Sequence, residues 1–189
     1  ARRFHPPVPV WPMFLDLPLL RGDEVAHAPW LAATATPWPG AVSAWVSTEE
    51  GGGYAPNVNL SVPAIMGVTL SPLAGARAGE WDRGPALRIR LKGGALKSIS
   101  DPALMAGGNL LAIGDGTPGG WELMQFRHAE MIGSEAWRLS GLLRAQQGTD
   151  GEMAAGAMEG ALVVFLDAGL PRVDIGRSER GLPLICRAG

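Results

Sequence analysis

The residues from Gly114 to Gly119 (Gly-Asp-Gly-Thr-Pro-Gly) have the spacing G-x-G-x-x-G. That spacing holds a dinucleotide pyrophosphate only when the glycines open a helix whose N-terminus faces the phosphates. Pro118 interrupts the run, and the residues after it alternate as a strand does, so it reads as a β-turn. His128 and Glu130 stand two apart and would share a face on a strand, either as metal ligands or as an acid–base pair. A zinc site needs three or four ligands, and nothing nominates another among His5, His27 or a remote carboxylate. The pair reads as a polar strand face. Glu49, Glu50, Asp101 and Asp115 offer carboxylates, but glycosidic chemistry needs two of them at a defined separation; turn and cap duties account for all four. There is no G-x-S-x-G, no P-loop and no H-E-x-x-H. The single cysteine, Cys186, excludes an intrachain disulfide and a thiolate cluster. The expectation is a non-enzyme, with no catalytic, cofactor-binding or metal-ligating residues and no cofactor.

The elements that would carry these residues are short and extended. The 27 glycines and 16 prolines among 189 residues are well above the ordinary share and argue against a helical bundle. Pro-rich residues 1–40 cannot be helical; Val8 to Leu20 reads as an extended arm anchored by Trp11, Phe14, Leu17 and Leu19. Ala32–Thr36 is a short strand candidate. Ala41–Ser47 alternates, with Val42, Ala44 and Val46 on one face, and pairs through Glu49–Gly53 with a strand starting near Tyr54. Val62–Leu70 is a further strand. Leu87, Ile89 and Leu91 alternate with Arg88, Arg90 and Lys92, so one face is buried and the other is wet or meets an acidic partner. Ala95–Ile99 is a possible return strand, and Asp101 caps a short helical turn with Pro102 at its first position. Asn109–Ile113, Trp121–His128, Ala136–Leu143 and Ala161–Leu166 are strands, with Arg144–Gly151 an exposed loop between the last two. The class is all-β, mostly antiparallel, a sandwich or partly open barrel with at most short helical turns. A division into two β lobes, about 1–75 and 76–189, would fall near residues 71–85, with residues 1–20 as the arm.

The formal net charge is −2, which gives no electrostatic basis for binding nucleic acid or an anionic membrane. Lys92 and Lys97 are the only lysines among 16 basic residues; arginine suits protein contacts through its planar fork, although shared abundance of Ala, Gly and Arg also fits a compositional bias. No apolar run approaches the roughly 20 residues of a membrane span, and the first residues lack the apolar stretch of a signal peptide. The chain starts with Ala and is read as a piece of a larger protein. Seven tryptophans are roughly threefold the ordinary share. They either fill a β core or, where exposed, stack on sugars or anchor an interface.

One stretch carries a family likeness. Trp121-Glu122-Leu123-Met124-Gln125-Phe126, then Trp137-Arg138-Leu139-Ser140-Gly141-Leu142-Leu143-Arg144, then Gln147-Gly148-Thr149-Asp150, is similar to a pattern of phage tail hub proteins: a G-x-W-E-x-x-Q-F strand, a hairpin, and an aromatic-x-L-S-x-L-L-R-G-x-x-G-T segment. It most closely resembles the C-terminal region of the large baseplate (host-specificity) protein of gene transfer agents, the phage-like particles of α-proteobacteria. Leu15–Leu20, Pro37–Ala41 with Ser47–Tyr54, and Gly107–Ile113 resemble further segments of that family in the same order. Two departures stand out. Glu49-Glu50 replace Asp-Gly, and Ala145 replaces the glycine after Arg144, so the backbone there is expected to avoid positive φ.

The resemblance implies a structural module at a tail tip, in a virion or phage-like particle assembled in the bacterial cytoplasm, with no catalytic residues. Its implied partners are other tail or baseplate proteins, other domains of the same parent chain and a cell-surface glycan. The candidate interface residues are Arg88, Arg90, Lys92, Arg144, Gln146, Gln147 and Thr149. The alternative is a carbohydrate-binding module attached to a glycoside hydrolase domain, with Trp38 and Trp45 as its aromatic contacts.

Overall fold

A computed structural model describes residues 9–20, 22, 25–166 and 170–189. In chain order the strands are β1 (Trp11–Leu15), β2 (Trp30–Thr34), β3 (Val42–Ser47), β4 (Ala55–Leu60), β5 (Met66–Thr69), β6 (Trp81–Asp82) and β7 (Leu87–Lys92). Helix α1 (Asp101–Met105) is followed by β8 (Leu110–Gly114), β9 (Trp121–Gly133) and β10 (Ala136–Gln146). Helix α2 (Asp150–Ala155), β11 (Leu162–Phe165), a single 3-10 turn (Arg177–Glu179) and β12 (Ile185–Ala188) complete the order. The described strand pairings are antiparallel.

The largest sheet runs β6-β10-β7-β5-β11-β8-β9, and β9 pairs back onto β10. Six strands therefore close on themselves: β10, β7, β5, β11, β8 and β9. The all-β expectation holds, and the barrel is closed rather than partly open, which removes its edges. Alternation explains why these segments fold this way. Leu87, Ile89 and Leu91 of β7, Leu111 and Ile113 of β8, Met124 and Phe126 of β9, Trp137, Leu139 and Leu142 of β10 and Val163 of β11 fill the interior. Each such side chain contributes about 1.5–3 kcal/mol when fully buried. The exposed pairs Arg138–Glu130 and Arg127–Asp101 contribute about 0–1 kcal/mol each. The interior packing therefore holds the barrel.

The remaining strands form layers outside it. β1 and β2 make a two-stranded antiparallel sheet, whose Leu15, Trp30 and Ala32 pack on outward residues of the barrel, Met66, Ala112, Trp121, Leu123 and Val164. On the opposite face of β2, Leu31 and Ala33 meet Val42, Ala44, Val46, Val58 and Leu60 of the sheet β12-β3-β4. Both faces of β2 are covered, so all of Trp30–Thr34 is buried.

Several expectations shift. Leu15 and Leu17 are the buried anchors of the arm, while Trp11, Phe14 and Leu19 are exposed; its first eight residues lie outside the described residues. Ser100, not Asp101, caps α1 by accepting from the Ala103 N–H, and Asp101 instead pairs with Arg127 at 2.9 Å. Residues 95–99 form no strand. β5 and β7 are hydrogen-bonded neighbours, so one sheet has strands on both sides of the 71–85 segment.

Candidate interaction surfaces

Arg144 was expected on an exposed loop. Strand β10 instead continues to Gln146, and a bulge after Leu143 sets Leu143 opposite Gln125 and Gln146 opposite Leu123. Ala145 takes φ 53° there, contrary to the expected avoidance of positive φ. Arg144 keeps the inward parity of Leu142, and its side chain is fully buried. Its Nε–H donates to Glu122 Oε1 at 2.6 Å and its Nη2–H to Glu122 Oε2 at 2.7 Å. Its Nη1 group donates to Asp82 Oδ2 and to the Ala74 carbonyl, each at 3.1 Å. The Ala145 N–H adds a bond to Glu122 Oε1 at 3.2 Å. A bidentate fork of this kind suits an arginine and no other side chain. Its guanidinium is spent inside the protein, which removes Arg144 from the contact candidates.

Thr149 is also an interior group, 3% exposed. Its Oγ1 accepts from the Leu123 N–H at 3.0 Å and donates to the Gln146 carbonyl at 2.9 Å. Where the bulge interrupts the β9–β10 ladder, this hydroxyl takes up a buried N–H that would otherwise be orphaned. Gln125 donates through Nε2 to the Leu104 and Gly108 carbonyls, both at 2.7 Å, which ties α1 to the barrel wall. Of the loop candidates, Gln146 is half-buried and Gln147 exposed.

The Gly-rich turn between β8 and β9 leads into a strand and not into a helix. Asp115 Oδ1 accepts from the Thr117 hydroxyl at 2.6 Å and from its N–H at 2.9 Å. The hydroxyl bond, followed by the backbone one, holds the Asp115 carboxyl below its ordinary range. Glu130 is engaged by Arg138, beside an exposed His128. Among the described residues no three of His, Cys, Asp or Glu are placed to hold a metal ion.

The outer face of β7 remains a candidate surface. Arg88 and Arg90 are exposed, and Arg88 lies directly across from Arg138 of β10. The Lys92 ammonium sits 4.8 Å from the centre of the Trp11 ring. Trp38 and Trp45 do not form one platform. Trp38 packs against the cluster beneath β3 and β4 and donates through its indole N–H to the Ser61 carbonyl at 3.4 Å. Trp45 is 42% exposed and pairs across β3–β12 with Arg187, whose guanidinium lies 4.1 Å from the centre of the Tyr54 ring. Sequence reasoning missed Arg187 and Tyr54, since only the long-range β3–β12 pairing brings them together.

A comparison with curated proteins gives no match. The family model described as Rcc01698-like, C-terminal matches residues 64–164, which span the six barrel strands, the β9–β10 hairpin and the Arg144 fork. That family covers the C-terminal region of hub proteins of the phage-tail and gene-transfer-agent type, a non-catalytic structural domain. The match takes in more than half of the sequence, and the chain belongs to the Rcc01698-like, C-terminal family.

Proposed function

We propose that the chain works as a structural β module of a tail-tip or baseplate hub, acting through contacts with neighbouring proteins of a phage-like particle and at the host envelope during adsorption. The observation that carries the reading is the closed barrel, whose strands fall almost wholly within the family match over residues 64–164. A closed barrel offers stiff outer faces to neighbours and no pairing edges of its own. Its partners in this reading are other tail or baseplate proteins, or other domains of the same parent chain, at the tail tip of particles assembled in the bacterial cytoplasm. Cryo-electron microscopy of the parent particle tests it. Density for this barrel in a tail ring is the expected result; its placement in the head, or outside the particle, overturns the reading.

A second reading, glycan contact, rests on the exposed Trp45 beside Arg187 and Tyr54. An aromatic ring flanked by donors is the usual furniture of sugar recognition. Binding on a glycan array that disappears in Trp45→Ala supports it, and silence on every glycan removes it.

A further inference from the structure

We propose that a groove between β1 and the outer face of β5 and β7 is the docking site for an acidic segment of a neighbouring particle protein that inserts one apolar side chain. The inference rests on the structural-module reading and names the face and the partner chemistry. The groove encloses about 320 Å³, walled by Trp11, Met13, Met66, Val68 and Leu162, with Arg90 and Lys92 at its rim. That volume lies at the small end for a ligand pocket and suits a side-chain anchor. The register explains the arrangement: Val68 faces Arg90 and Met66 faces Lys92 across β5–β7, and Val68 faces Leu162 across β5–β11. The two cations and the apolar floor therefore share one face of the barrel. Trp11 is 58% exposed, and a tryptophan beside an apolar recess is a frequent binding hot spot.

Charge selects the occupant. Arg88, Arg90 and Lys92 follow one another along β7, and none has a carboxylate partner among the described residues. Arg88 faces Arg138, whose charge Glu130 already answers, so the unanswered cations nearest the groove are Arg90 and Lys92. A carboxylate supplied from outside would bond Arg90 in a charge-assisted geometry. The chain's own first residues carry Arg2 and Arg3, the wrong sign for this rim. A net charge of −2 does not favour a nucleic acid or a membrane as the occupant.

The test uses the parent particle with a photo-crosslinking phenylalanine analogue at position 13, alone and combined with Arg90→Glu and Lys92→Glu. Arg90 is exposed and Lys92 half-buried, and thermal unfolding of the variants confirms that the fold survives. The expected result is a crosslink mapped to a segment of another particle protein with Asp or Glu beside an apolar residue, its yield falling about tenfold or more in the charge-reversed forms. A crosslink to lipid, to a second copy of this chain or to a neutral or basic segment overturns the proposal, as do a yield insensitive to charge and the absence of any crosslink. Imaging the same particles separates the two readings. If the barrel sits in the tail ring while the groove crosslinks to nothing, this inference falls and the structural module stands; if the barrel is absent from the tail, both fall.

Discussion

Replacing Arg144 with Met tests the central physical argument of this fold. Three acceptors lose a donor, but they do not lose equally. Ala74 is exposed and its carbonyl rehydrates. The Asp82 side chain is 18% exposed and keeps the Gly84 N–H as a donor. Glu122 has no such recourse, because its side chain is 4% exposed and only the Ala145 N–H remains to it. A buried carboxylate stripped of its counter-ion costs about 3–5 kcal/mol, a large part of the roughly 5–15 kcal/mol that keeps an ordinary domain folded. Arg144→Met is therefore expected to lower stability by about 3–5 kcal/mol in urea unfolding followed by tryptophan fluorescence, with Trp121 and Trp137 as buried reporters. The second arm is Arg144→Met with Glu122→Gln, which removes the stranded charge while leaving an acceptor for Ala145. The double variant is expected to recover about 1–3 kcal/mol of the loss. A single variant that loses less than about 1 kcal/mol, with a double variant no better, would falsify the buried fork and return Arg144 to a solvated loop.

Gly67→Ala would set a Cβ 1.9 Å from the Arg90 carbonyl oxygen, a backbone clash that only a strand shift resolves; the expected loss is about 3 kcal/mol or more, and a wild-type urea midpoint would contradict the β5–β7 packing. Ala145→Gly removes the strain of φ 53° but raises the entropy of the unfolded chain, which offsets part of the gain, for a net of about 0.5–1 kcal/mol, read as a melting temperature higher by about 2 °C; a lower melting temperature would show that the bulge does not need that conformation. The Asp115 carboxyl, held below its ordinary range chiefly by the Thr117 hydroxyl, supports its turn fully at pH values above the unfolded carboxylate range, about 4, and that support is lost as pH falls through the depressed folded value. NMR titration of the Asp115 carboxyl checks this, and a midpoint at or above that of an ordinary aspartate would refute it.

What was legible in the sequence follows from what periodicity can report. β7 and β3 alternate cleanly, and their buried faces, Leu87-Ile89-Leu91 and Val42-Ala44-Val46, are those expected. The turn at Gly114–Gly119 follows from local turn chemistry. Three features needed more than local information. Arg144 to Gly151 looks like a loop because it is polar and punctuated by glycine, and only the bulge at Ala145 shows that Arg144 continues a strand into the interior. Trp11 looks like an anchor by its type, yet it lines an open groove, because Leu15 and Leu17 already fill the space above the barrel. β12 pairs with β3 across most of the chain, and no local pattern announces a partner so distant.

The residues that carry the family likeness have a common physical task. Trp121 seals the barrel wall against the β1–β2 layer, Glu122 and Arg144 form the buried fork, Gln125 holds α1, and Thr149 repairs the ladder where the bulge breaks it. Each is engaged within the protein, so a match on these positions reports how the barrel and its covering layers pack and is silent on what the protein touches. In the proposed reading, partner choice lies with outward residues that this inward set leaves out. The proposal assigns that role to Arg88, Arg90 and Lys92 on the barrel's outer surface, joined by Trp11 from β1. Substitutions there are expected to change particle assembly while leaving the unfolding midpoint near that of the wild type. Substitutions at Glu122, Arg144 or Thr149 should do the reverse at first, lowering stability before any contact is lost.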